Sequence, residues 1–295
     1  MLGVRLRSMT AERDKMNRWL TMAILAFAAL GSGKQVWAQT YSFGVVPVRS
    51  VSLTAQHWNP ILEYVSKKSG VALALATKKS SQEYSDAEAR GEFDFVFNNH
   101  IFAPSHAAAA YYVIARPAGK PLHSKIVVAD GSEIRSLSQL KDLQIGFPNK
   151  NGFSGYAVPM SGLVKAGVPV KPAFFGNQEG VMEQLRARAV PAAGVNSRVM
   201  EEYAVRHKFG YRVLWTSEAF LDIPVAAHPR VPAASVKAVR DALVAMTREK
   251  EGIKILAASA AIIGQEPPFG FVAAKDAEYK NQREVYSIIW KHEGR

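Results

Sequence analysis

The chain of 295 residues is 48% hydrophobic and 21% charged, which excludes both a disordered tail and a polytopic membrane protein and leaves room for about two cores. It has no cysteine, so disulfide frameworks, thiolate zinc sites, iron–sulfur clusters and cysteine nucleophiles are excluded together. The formal charge of +12 invites a nucleic-acid reading. Its distribution argues otherwise: Arg5, Arg7, Arg13, Lys15, Arg18 and Lys34 crowd residues 1–38 against Glu12 and Asp14. The remaining excess is dispersed, and no aromatic-basic platform for stacking bases is visible, so no nucleic-acid partner is expected.

Residues 20–30 form a near-apolar run between Arg18 and Gly31-Ser32-Gly33. A secretory h-region needs about 7 to 15 such residues and a membrane span about 20. Residues 1–38 therefore read as a cleavable signal, with Val36-Trp37-Ala38 as the cleavage site and Gln39 as the mature N-terminus. Met16 is a second candidate start, and an N-terminal membrane anchor is the alternative. Gly31-Ser32-Gly33-Lys34 is no phosphate loop, because Ala28 stands at the first glycine position of that motif.

Beyond the signal, Tyr41–Val46 reads as a short buried strand running into Pro47 and a polar loop. Leu53, His57, Ile61 and Val65 recur at helical spacing up to Gly70. Val71–Ala76 predicts a strand, Ser81–Arg90 a polar helix closed by Gly91, and Phe93–Phe97 a third strand. A second series starts with strand Lys125–Ala129 and the leucine stripe 136–143, with Ser136 as N-cap. Strand Gln144–Phe147, helix Tyr156–Ala166, strand Ala173–Phe175, helix Asn177–Ala189, strand Ala192–Val195, helix Ser197–His207 and strand Tyr211–Trp215 follow. Ile223–Ala227 predicts a returning strand, and helices Pro232–Arg248, Gly252–Ala261 and Ala274–Trp290 complete the chain. Such alternation predicts an α/β protein of two close lobes, each a mainly parallel sheet flanked by helices. The expected lobes are 39–122 with 224–295, and 123–223, joined by crossing strands near Pro117–Lys125 and Leu221–His228.

In open α/β sheets, ligands lie beyond the carboxyl ends of the strands, where helix N-termini present free amides. Those ends here are Pro47–Ser52, Asn98-Asn99-His100 and Asn149–Gly155. All three are rich in small hydrogen-bonding residues and poor in carboxylates, which suits an anion; the same residues also suit ordinary helix capping. Enzymatic patterns fail. Gly152-Phe153-Ser154-Gly155-Tyr156 misses a nucleophile elbow because Tyr156 replaces its last glycine. Ser138-Gln139-Leu140-Lys141 lies on the leucine-striped segment, and no paired carboxylates stand at the strand ends. The seven histidines show no close ligand pair, so neither a metal nor a cofactor is expected.

Phe43–Pro47, Gly91–Asn98, Phe147–Pro159 and Ala226–Pro232 resemble the phosphate/phosphite/phosphonate-binding proteins of ABC transporters, over nearly the whole mature chain. The most specific part is Pro148-Asn149 with Ser154-Gly155-Tyr156 and Val158-Pro159, which looks like the family's oxyanion loop. The resemblance implies a type II periplasmic binding protein that closes on a tetrahedral oxyanion and delivers it to a membrane permease. It also implies that Ser154 and the amides near Gly155 hold the anion, that Phe97 occupies a position often aromatic, and that Ser81 faces them from the other lobe. The chain departs from the family in placing Lys150-Asn151-Gly152-Phe153 before a single Ser154, and in lacking a phenol hydroxyl at Phe97. The expected ligand-binding set is Ser50, Ser81, Phe97, Asn98, Asn99, Asn151, Gly152, Phe153, Ser154, Gly155 and Asn196, in a periplasmic monomer without catalytic residues. A sensory module for a membrane histidine kinase and a periplasmic hydrolase are the alternatives.

Overall fold

Strand β1 (Tyr41–Val45) opens the described part of the chain, and helix α1 (Val51–Ser69) lies across it. Ser50 starts α1 by accepting from the Leu53 amide at 3.3 Å, and Gly70, at a left-handed φ of 71°, ends it behind Lys67 and Lys68. Of the expected apolar stripe, Ile61 and Val65 are buried, with Trp58 and Leu62 beside them, while His57 is half-buried and Leu53 stays 40% exposed. The computed structural model describes residues 39–47 and 50–294. The signal assigned to 1–38 therefore lies outside the described residues, as do Val48 and Arg49. No described helix is long and apolar enough to cross a membrane.

The first sheet continues with β2 (Leu73–Ala76), helix α2 (Ser81–Ala89), β3 (Phe95–Phe97), two 3-10 turns (His100–Phe102 and Pro104–Ala109) and β4 (Tyr112–Pro117). The chain then forms β5 (Ser124–Ala129), β6 (Gln144–Phe147), α3 (Val158–Lys165), β7 (Lys171–Phe174), α4 (Gln178–Arg186), β8 (Ala193–Asn196), α5 (Ser197–His207) and β9 (Tyr211–Thr216). It returns through β10 (Val225–Ala227), α6 (Ala233–Ala245), α7 (Lys250–Ile262), β11 (Phe271–Ala273) and α8 (Lys280–His292). One sheet has the order β11-β4-β10-β3-β1-β2 and the other β7-β6-β8-β5-β9.

Both sheets are mixed, more so than the sequence pattern suggests. β1 runs parallel to β2 and β3, and β6 runs parallel to β7 and β8. β10 and β5 each enter from the opposite lobe, so they insert antiparallel, β10 between β3 and β4 and β5 between β8 and β9. The two crossings are tied where Leu122 and Phe220 exchange backbone hydrogen bonds of 2.8 Å. Helices cover both faces. Phe43, Trp58, Phe95, Leu243 and Phe271 form one core of the first sheet, and Tyr84, Phe93, Phe102 and Tyr279 the other. The second sheet has Ile126, Ile145, Phe147 and Leu163 on one face and Val127, Val181, Leu185 and Met200 on the other. Val285 and Ile289 of α8 join the Ile126–Leu163 core. The last helix of the segment expected in the first lobe thus packs on the second.

Segment 136–143 forms a 3-10 turn, Leu137–Leu140, closed by a Ser136–Gln139 capping box, because Asp142 takes a left-handed φ of 62°. The helix expected from Tyr156 begins earlier, as a wide π-turn over Phe153–Ala157 in which the Tyr156 and Ala157 amides both donate to the Gly152 carbonyl at 3.0 Å.

Candidate functional site: an oxyanion cradle and an aromatic wall

Three helix N-termini meet at the carboxyl ends of β6 and β8. Ser154 lies in the π-turn and accepts from the Asn196 side-chain amide, Nδ2 to Oγ, at 3.2 Å. Asn196 closes β8, and its Oδ1 caps α5 by accepting from the amides of Arg198 at 3.0 Å and Val199 at 3.4 Å. Its own amide donates to Gln178 Oε1 at 3.1 Å. Gln178 is the first residue of α4, which Asn177 caps through Gly180 N at 2.8 Å. Gly155 fits because it lacks a side chain: a Cβ there would lie 2.3 Å from Pro148 Cγ and 2.4 Å from Gln178 Nε2. Ser154, Gly155, Gln178 and Asn196 therefore form one cradle of amides and hydroxyl at positive helix ends, with no carboxylate among them.

Opposite stands an apolar wall. Phe97, at the end of β3, packs on Trp58 with ring centroids 4.8 Å apart. Both line a cavity of about 410 Å³ with Val46 and His57, and Arg198 and Val199 close its other side. Because Asn196 caps those last two residues, the cradle adjoins this cavity through the first turn of α5. His57 Nδ1 lies 2.9 Å from the Ser259 carbonyl, which fixes the ring beside Trp58.

The other expected residues take different places. Ser50 is exposed and caps α1. Ser80, not Ser81, caps α2, accepting from Glu83 N at 3.1 Å, and Ser81 follows as its first residue. Asn98 is turned away from the cleft: it is buried and donates to Glu88 Oε2 at 2.8 Å. Phe153 likewise serves the core, with its ring 5.2 Å from Phe220 and 5.4 Å from Tyr286. Asn99 is buried with Oδ1 unpaired. Gly152 ends the loop before the π-turn, and the Asn151 carbonyl accepts from His100 Nε2 at 3.1 Å, joining the two halves of the site. Burial holds His100 below the ordinary imidazole range, opposed by that bond. Gln178, Trp58 and Arg198 were not expected. The only sequence signal for Gln178 is Asn177 as a cap, which places the next residue at a helix start.

Behind β3, Asp94 ties the strand ends together. Its Oδ2 accepts from the Ser42 amide at 2.8 Å and hydroxyl at 2.9 Å, and its Oδ1 from Arg230 Nε at 2.7 Å. Burial pushes this carboxyl up, but the Arg230 and Ser42 bonds outweigh it and hold the group below its ordinary value of 3.8. A depressed folded-state value means stability that is present above 3.8 and is lost as pH falls through the folded-state value. Asp94→Asn is thus expected to lower the urea midpoint at neutral pH, with the gap to the unmodified chain narrowing in acid below 3.8. Urea titrations over that range check it, and a gap constant with pH would refute the assignment.

No curated protein sequence matches this chain. Among solved structures, PhnD1 of Prochlorococcus marinus (MIT 9301), in complex with methylphosphonate, is similar with a TM-score of 0.64 at 19% identity, over 86% of this chain and 99% of that one. The binding-protein component of an ABC phosphonate transporter from Pseudomonas aeruginosa gives 0.61 at 18%, over 84% and 85%. XAC2383 from Xanthomonas citri bound to ATP gives 0.70 at 14%, over 86% and 98%. These likenesses establish the two-lobe binding-protein fold. The family model for the periplasmic substrate-binding protein of phosphonate ABC transporters matches residues 43–279. With that match across most of the two-lobe body, the chain belongs to the periplasmic substrate-binding proteins of phosphonate ABC transporters.

Proposed function

We propose that this binding protein captures a small phosphorus oxyanion, namely phosphate, phosphite or a phosphonate, between its lobes and hands it to a membrane permease without chemical change. We take the lobes as 39–122 with 224–295, less α8, and as 123–223 with α8. Closure would turn about the two crossings tied at Leu122 and Phe220. The observation that carries this reading is the cradle of Ser154, Gly155, Gln178 and Asn196, which gathers donors at three helix N-termini and contains no carboxylate itself, the acidic residue beside it being Glu179 in the first turn of α4. A tetrahedral anion suits such a cradle, since oriented amides complement its charge and need no metal. The wall of Trp58 and Phe97 suits an apolar substituent on the phosphorus.

A thermal-shift screen against phosphate, phosphite, methylphosphonate, aminoethylphosphonate, sulfate and taurine tests it. At one hundred times its dissociation constant, the cognate ligand stabilises the folded state by about 2.7 kcal/mol. A phosphorus anion should give the largest shift. Failure of all four, or a larger response to sulfate or taurine, would overturn the assignment of ligand class.

A further inference from the structure

The seven histidines are scattered in sequence, but the fold brings two of them to one carboxylate. A ligand atom from each of Glu88, His100 and His106 lies within 4.8 Å of the other two. The local topology explains the meeting. Glu88 sits in the last turn of α2, and the 3-10 turns after β3 double back over that helix, carrying His100 and His106.

Glu88 is fully buried. Its Oε2 accepts from Asn98 and lies 3.5 Å from His106 Nε2, whereas its Oε1 has no hydrogen-bond partner. A carboxylate removed from water with one oxygen unpaired is costly unless a proton or a cation neutralises it. The imidazoles are braced from behind. His100 Nε2 donates to the Asn151 carbonyl at 3.1 Å, and His106 Nδ1 shares a 3.0 Å hydrogen bond with Ser105 Oγ. His106 Nε2, the nitrogen that faces Glu88, also lies 3.2 Å from Ser85 Oγ, a bond that a metal would replace; engagement of the far ring nitrogen orients the near one and fixes the tautomer. A cavity of about 550 Å³ reaches His100 and His106 alongside Ser85 and Tyr286, so the cluster has an entry path and room for a solvent ligand.

We propose that Glu88, His100 and His106 form a binding site for a divalent transition-metal ion, for which zinc is the natural occupant. Two imidazoles and one carboxylate supply three ligands of the type zinc accepts, with the fourth position open to the cavity. Bonds of about 2.0 to 2.1 Å in a tetrahedron place ligand atoms roughly 3.4 Å apart, so groups now within 4.8 Å of one another need to draw together by up to about 1.4 Å. The cluster contains no residue of the Ser154–Asn196 cradle and touches the anion site through the 3.1 Å bond from His100 to the Asn151 carbonyl, so metal binding is read by a different titration from anion binding.

The test uses untagged protein stripped with chelator, titrated with Zn²⁺ by calorimetry and with Co²⁺ by visible absorption. One equivalent of Zn²⁺ should bind, and Co²⁺ should give the ligand-field bands of a nitrogen-containing site of low coordination number. Glu88→Gln and His100→Ala should each weaken Zn²⁺ binding by roughly tenfold or more. Because His100 is only half buried, His100→Ala keeps the test decisive if Glu88→Gln disturbs folding, with circular dichroism reporting the fold of each. Absence of one-to-one binding, or undiminished binding in a folded variant, would overturn the proposal.

Discussion

Ser154→Ala is expected to weaken binding of the best phosphorus oxyanion by roughly ten- to a hundredfold, because a hydrogen bond to a charged partner is worth about 1.5 to 3 kcal/mol. The urea midpoint of the unliganded protein should move far less. A serine in the first turn of a helix invites the opposite expectation, in which its hydroxyl caps the helix and its loss costs about 0.5 to 2 kcal/mol of stability with affinity unchanged. The geometry separates the two. No side-chain capping bond is made at the start of this π-turn, and the Ser154 hydroxyl instead accepts the Asn196 amide, so its proton remains available to a ligand. Calorimetric affinity and urea midpoint, measured on the same variant, decide it. A lowered midpoint with unchanged affinity would remove Ser154 from the site.

Trp58→Ala is expected to cost about 3 to 5 kcal/mol of stability, a large share of the roughly 5 to 15 kcal/mol that holds a typical domain folded. Trp58 is 4% exposed and packs against Phe43 at 5.1 Å, Phe97 at 4.8 Å and Phe271 at 6.2 Å. Truncation would leave a void between β1, β3 and β11 and also remove one wall of the cleft cavity. Affinity for the bound anion should therefore fall together with stability, whereas Trp58→Phe should keep most of both. Urea unfolding of the two variants measures the first effect and calorimetry the second. A loss below about 1 kcal/mol in Trp58→Ala would mean that the aromatic cluster collapses around the missing ring.

The alternation of short apolar strands with helices was legible because it reflects burial, and burial follows residue type. Segments near Tyr41–Val45 and Gln144–Phe147 show it: a proline follows each strand within two residues, and the loop beyond holds the small residues that begin the next helix. β4 and β11 escaped notice. β4 follows two short 3-10 turns rather than a patterned helix, and β11, though it abuts the helix expected from Ala274, is three residues long and pairs only with β4 among the described strands. Direction was equally hidden, since a strand's composition does not say from which lobe the chain enters, and β5 and β10 insert antiparallel for that reason. Within the site, Ser154, Gly155 and Asn196 lie at strand ends that patterning can find. Gln178 and Trp58 are brought there by packing between distant segments. The meeting of Glu88 with His100 and His106 has the same origin, because it depends on two turns doubling back over α2, and no spacing rule describes such a path.

β7 forms an outer edge of the second sheet, and its hydrogen-bonding pattern bears on how copies of the chain behave when crowded. The amides of Lys171 and Phe175 point inward, to the carbonyls of Leu143 at 2.8 Å and Phe147 at 3.0 Å. Alternation along the strand then turns positions 172 and 174 toward the open side. Pro172 has no N–H, so Phe174, the last residue of the strand, alone offers a donor there, three residues from the Lys171 charge at its other end. A strand from a neighbouring molecule would find too few partners to zip on, so this edge resists the edge-to-edge aggregation to which an uninterrupted strand would be open.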